Sequence, residues 1–337
     1  MLYLGYCNTR LTDGAGAQIQ RILGIYAISR LLGYGYVHFG LSRIGYQGLS
    51  ALEHDQEIQH LEEMYNTLIS LPSDHSREIA HFGDRVFVEF NPDRSTIMGY
   101  KERSSAIQRD ILLQIVLPFT ASDEYPSCYG AVNGLIGPQT ALRLNSMFPR
   151  MKAARFDLRQ DEPVVIGIHV RRGELFAVDS HRMLPNAYYI TIALELSQLL
   201  KDLGMAYRFD VYAEVPDSPF EVHPRSHGIN HRIKGSVRIS VEQFRLWEFD
   251  IIPELRFRVN EHQISTLYNL ANCDILIGSR SSFSYVAGVA GNVRCVLFPR
   301  FWHALPPDWV ETNIDTGVFD QNLVKQQLLR SRCQSPR

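Results

Sequence analysis

The stretch that decides the fold is Val164-Val165-Ile166-Gly167-Ile168-His169-Val170-Arg171-Arg172-Gly173-Glu174. From Val164 to Val170 the run is apolar except for His169, and then it gives way to charge. A strand buried on both faces reads this way, because a central strand of a parallel sheet has no solvent face to alternate toward. Outward from it, Ala187 to Leu203 has helical periodicity and Tyr207 to Ala213 is again a strand. Strand Leu255 to Val259, helix His262 to Ala271, strand Ile275 to Ile277, helix Phe283 to Ala290 and strand Arg294 to Phe298 continue the alternation. Such alternation implies parallel strands joined by right-handed crossovers.

The first half repeats the pattern more loosely. Leu2 to Cys7 predicts a strand, a loop with Asp13, Gly14 and Gly16 follows, then helix Gln18 to Leu32 and strand Tyr36 to Phe39. Gln56 to Ile69, Ala106 to Leu117 and Gln139 to Phe148 read as helices, and Arg85 to Phe90 as a strand. Polar, charged Pro149 to Pro163 reads as the inter-domain connection. The expectation is an α/β protein of two Rossmann-like domains, 1–150 and 151–330, facing across a cleft, with a disordered tail at 331–337.

Composition narrows the function. The 337 residues are 45% hydrophobic and 21% charged, with a net charge of −2, which argues against a polybasic nucleic-acid or membrane binder. No run approaches the roughly 18 apolar residues of a membrane span. Five widely spaced cysteines without a Cys-x-x-Cys argue against a zinc cage or disulfide framework and fit a reducing compartment. His223, His227 and His231 have helical spacing, but Pro224 and Gly228 interrupt it, so a solvated loop is expected and no metal site.

Three segments carry suspicious chemistry at strand ends, where open α/β sheets bind ligands. His169 and Arg171 share one face by strand alternation. Adjacent arginines there are costly unless an anion or carboxylate meets them, and a pyrophosphate needs such forks. Gly278-Ser279-Arg280-Ser281-Ser282-Phe283-Ser284 opens a helix with hydroxyls and free N–H groups, an anion seat beyond what capping needs. The turn Asp13-Gly14-Ala15-Gly16-Ala17-Gln18 lets backbone approach a ligand, but Ile19 stands where a dinucleotide fingerprint needs glycine. No Asp-x-Asp pair is present in a loop to hold a metal–diphosphate complex.

In this order these residues resemble the fucosyltransferase superfamily, above all the bacterial-type α-1,2-fucosyltransferases and their α-1,6 and protein O-fucosyltransferase relatives. The resemblance runs through Gly14-Ala15-Gly16-Ala17-Gln18, His169-Val170-Arg171-Arg172-Gly173-Glu174 and Leu184-Pro185-Asn186-Ala187-Tyr188-Tyr189. It ends with the segment from Cys273 to Ser284 and with Phe298 to Trp302. It implies a metal-independent, inverting GT-B transferase with GDP-fucose as donor substrate, no cofactor and a glycan acceptor. Arg171 would hold the donor phosphate, with Arg172 helping or bracing the loop. His169 would lie against the nucleotide, Ser281 and Ser282 would hold phosphate oxygens, the backbone of Gly14 and Gly16 would approach the diphosphate, and Gln18, Ser279 and Phe283 would belong to the donor-binding set. Glu214 follows a strand where relatives keep acids, and Glu174, Asp179 or Asp13 would serve as base. Ala17 for the usual Asn, Glu174 for the usual Asp, and Tyr285-Val286 for a tryptophan pair depart from the pattern. The alternatives are a transferase of another nucleotide sugar and a non-catalytic nucleotide- or glycan-binding homologue. The expected location is the cytoplasm, or the soluble part of an anchored enzyme.

Overall fold

The computed structural model describes residues 1–10, 13–44, 55–82, 86–90, 92–116, 128–148, 163–173, 175–178, 180–215, 219–222, 237–301 and 304–333. The first half contains β1 (Leu2–Tyr6), α1 (Ala15–Leu32), β2 (Gly35–Val37), α2 (Asp55–Leu68), β3 (Val86–Glu89), α3 (Arg94–Ile107), β4 (Ile111–Ile115) and α4 (Pro138–Met147). The second contains β5 (Val164–Val170), α5 (Leu175–Val178), α6 (Asn186–Asp202), β6 (Tyr207–Ala213), β7 (Phe220–Val222), β8 (Val237–Ile239) and β9 (Leu255–Val259). It continues with α7 (Gln263–Ala271), β10 (Ile275–Ile277), α8 (Ser282–Ala290), β11 (Cys295–Pro299), β12 (Val310–Thr312) and α9 (Gln321–Cys333).

Two parallel sheets result, ordered β2-β1-β4-β3 and β12-β11-β10-β5-β6-β9. This is the α/β architecture the alternation predicts. The uninterrupted run of β5 is explained by its place: β10 and β6 flank it, and helices cover both faces. The antiparallel pair β7–β8 flanks residues 223–236, which lie outside the described residues together with the three histidines there.

One expected helix is corrected. Ala106 to Leu117 is not helical: α3 ends at Ile107, and Ile111–Ile115 pairs in parallel with β1 and β3. Four of these five residues are buried, so the strand has no polar face to alternate toward and its apolar run looks the same as a buried helix. The tail is also shorter than expected, because α9 continues to Cys333; residues 334–337 and the connection 149–162 lie outside the described residues.

Helix α1 explains how the halves meet. Ile19, Ile22, Leu23, Ile25, Ala27 and Ile28 point to all sides and are all buried. A helix apolar all round must be covered all round; the first sheet covers α1 on one side and α8 on another. One apolar cluster therefore joins Tyr6, Ile19 and Leu23 to Leu267, Tyr285 and Trp309. A second cluster fills the other face of β5, under α6.

No helix among the described residues is long and apolar enough to cross a membrane. Cys7, Cys128, Cys273 and Cys295 are buried and form no disulfide.

Candidate active site at the strand mouths

On β5 the side chains alternate. Ile166, Ile168 and Val170 enter the cluster beneath α6. Gly167 and His169 face the other way, toward α7 and α8. His169 is 8% exposed. Its Nδ1 hydrogen-bonds Ser279 Oγ at 3.0 Å, and its ring lies 5.5 Å from that of Phe283, tilted by 38°. Burial, helped by the Arg171 charge, pushes its pKa down to about 3, so the imidazole is neutral at ordinary pH.

Arg171 follows β5 and is half-buried. The chain then turns at Gly173, whose φ of 55° lies in the left-handed region that a side chain disfavours. Arg172 goes to the opposite side and is 6% exposed. Its Nη2 donates to Asn186 Oδ1 at 2.7 Å, and its guanidinium lies 5.8 Å from the Tyr189 ring. Asn186 Nδ2 in turn donates toward the Arg245 carbonyl at 3.0 Å and Glu248 Oε2 at 2.9 Å. These contacts brace the loop, one of the two roles expected of Arg172.

The serine run is largely spent inside the protein. Ser279, expected at the donor, is fully buried, and its Oγ hydrogen-bonds His169 Nδ1. Ser281 is the N-cap of α8, its Oγ accepting from Phe283 N–H at 3.2 Å. Ser284 Oγ accepts from Ser279 N–H at 3.3 Å and donates to the Ser281 carbonyl at 3.2 Å. Ser282, half-exposed in the first turn, makes no hydrogen bond to a described residue.

The glycine turn meets this helix tip directly. A Cβ on Gly16 would stand 2.7 Å from Phe283 N and 2.9 Å from Phe283 Cα. Glycine is thus demanded at 16 by the approach of α1 to α8, and Gly14 alone has open space, with no atom within 4 Å of a Cβ. Gln18, expected beside the donor, is fully buried: Nε2 donates to the Asp13 carbonyl at 3.0 Å and Oε1 accepts from Ser42 N–H at 3.4 Å. It shapes the turn from beneath.

Glu214 stands just past β6, half-buried, and its charge adds to burial in raising the pKa of Tyr65. Tyr65 donates to Gln263 Oε1 at 2.8 Å, tying α2 to α7. Glu174 and Asp179 lie outside the described residues. Among the described residues no three His, Cys, Asp or Glu side chains gather as a metal site.

Two features escaped the sequence reading. Arg280 donates to the His181 carbonyl at 2.7 Å while Arg182 donates to the Arg280 carbonyl at 3.3 Å and covers Phe301 at 5.2 Å. Asp13 Oδ1 accepts from Gly14 N–H at 2.8 Å, and its Oδ2 is paired with the buried Arg21. An arginine amid serines was a visible signal for the first; a pair eight residues apart left none for the second.

No protein-family model matches the chain, and no curated protein matches it. Solved structures do. POFUT1 in complex with GDP aligns over 88% of this chain and 97% of its own at 12% identity, TM-score 0.40. The E. coli heptosyltransferase WaaC with ADP aligns over 98% of both chains at 9% identity, TM-score 0.36. The fucosyltransferase NodZ from Bradyrhizobium aligns over 94% of this chain and 97% of its own at 11% identity, TM-score 0.35. The fold is α/β, with two parallel sheets.

Proposed function

We propose that the chain is a glycosyltransferase that moves fucose from GDP-fucose to a hydroxyl of a glycan or glycoconjugate, with inversion and without a metal. One observation carries the reading. The end of β5, the tip of α8 and the glycine turn, far apart in sequence, meet around Phe283: His169 lies against its ring and Gly16 against its backbone.

In this reading Arg171 faces the β-phosphate, where charge builds as the sugar gains oxocarbenium character. A fixed donor acting there is worth about 2.7–4 kcal/mol, or roughly 10²–10³ in rate. Ser282 and the N–H groups opening α8 add neutral donors, and the helix dipole adds to them. The neutral His169 lies against the nucleotide as a hydrogen-bonding surface and not as a cation. Gly14 leaves room for the diphosphate beside the start of α1. Glu214 is the candidate for the base of the nucleotide. The acceptor attacks from the opposite face, with Glu174 or Asp179 taking its proton.

The test is a thermal-shift panel of GDP, UDP, ADP and NAD, followed by turnover of GDP-fucose and GDP-mannose with glycan acceptors. A ligand binding the native state alone raises Tm by mass action. GDP should give the largest shift, and GDP-fucose should release GDP in the presence of an acceptor. A larger shift with UDP or ADP would reassign the donor, and GDP binding without turnover would make the chain a binding homologue.

A further inference from the structure

We propose that Asp13 and Arg21 form a charge-balancing pair that sets the electrostatic potential of the glycine turn for a diphosphate. The inference rests on the reading above. It concerns the first residue of the glycine turn and an arginine outside every segment that suggested that reading.

Arg21 lies on α1 with its side chain 3% exposed, and Asp13 at the entry to α1 with its side chain 32% exposed. A guanidinium that deep is costly without an anion, and Asp13 Oδ2 supplies one. The arrangement is asymmetric: the cation is sealed beneath the turn, while the carboxylate stands at its mouth. Asp13 Oδ1 also takes the Gly14 N–H, and the carbonyl of Asp13 is fixed by Gln18. The anion is therefore anchored where Gly14 leaves open space. Left alone, that carboxylate would repel an incoming diphosphate and oppose the dipole of α1. Arg21 cancels it from below.

The two members of the pair then have opposite effects on an anionic ligand, although either deletion breaks the same bridge. Titration calorimetry at low ionic strength reads this directly, using GDP and the uncharged guanosine as probes. Arg21→Met, which leaves Asp13 unbalanced, should weaken GDP about tenfold, the size of one moderately screened charge contact. Asp13→Asn, which keeps an acceptor for Gly14 N–H, should tighten GDP several-fold. The double variant should return close to the wild type. Guanosine should bind all four proteins alike, and added salt should shrink the differences.

Should Asp13→Asn fail to fold, Arg21→Lys decides. It keeps the charge and alters the geometry, so GDP affinity should stay within about twofold of the wild type. Shifts of equal sign for the two single variants, or parallel losses for guanosine, would mean a purely structural bridge and overturn the proposal. A wild-type chain that binds UDP or ADP instead of GDP would overturn the donor assignment alone, since the same sign pattern would then be read with that diphosphate. A chain that binds no diphosphate overturns both.

Discussion

Gly16 offers a sharp test of how the site is assembled. Alanine there would put its Cβ 2.7 Å from Phe283 N, 2.9 Å from Phe283 Cα and 3.1 Å from the Ser282 carbonyl carbon. All three are backbone atoms, so no side chain can rotate away, and α1 and α8 must separate. Overpacking of this kind costs about 1–3 kcal/mol. Against it stands a gain of at most about 1 kcal/mol from alanine's better helix propensity. Taken at mid-range, the net loss is about 1 kcal/mol, or a Tm lower by about 1–2 °C for a chain of this size. Gly14→Ala is the internal control: it meets nothing within 4 Å and its φ of −60° suits alanine, so stability should be unchanged or slightly raised. Denaturant unfolding of both variants, with GDP affinity measured alongside, makes the comparison. Gly16→Ala should also lose GDP affinity, because the turn and the helix tip would no longer meet. A Gly16→Ala protein as stable as the wild type would refute the close approach on which the site rests.

The two arginines should separate cleanly. Arg171→Ala should leave unfolding unchanged and nearly abolish transfer, whereas Arg172→Ala, which orphans the buried Asn186 oxygen, should cost about 1–3 kcal/mol of stability. EDTA should leave transfer intact; loss restored by magnesium would count against the metal-free mechanism. Stability should fall as the solution is acidified below about pH 6.5. Burial holds His169 near 3 and His38 near 4, so the unfolded chain takes up protons that the folded one refuses. Each such group contributes up to about 1.4 kcal/mol per pH unit within that window. Replacing His38 by Gln should flatten the denaturant midpoint's dependence on pH between 7 and 4.5.

The second half was the more legible because its buried runs end on clear boundaries, as where Val164 to Val170 gives way to Arg171 and Arg172. Tyr207 to Ala213 is a strand at the expected residues. In the first half the signal failed at Ile111–Ile115, where burial on all sides erased any period, while α3 carries mostly exposed residues and showed no apolar stripe. The site was legible as three segments but not as individual contacts. Hydroxyls at 279, 281 and 284 look alike in sequence whether they face a phosphate or a neighbouring backbone. Only the packing decides that Ser282 remains. Gly14 and Gly16 differ in the same way, one open and one filled by Phe283.

The placing of α1 has a consequence for synthesis on the ribosome. Ile19 shares a cluster with Tyr285, which lies 266 residues later in the chain (285 − 19). At 5–20 residues per second, roughly 13–50 s pass between their emergence. For that interval the oily flank of the first helix has no native cover, so the newborn chain should be a client of holding chaperones until its last third arrives.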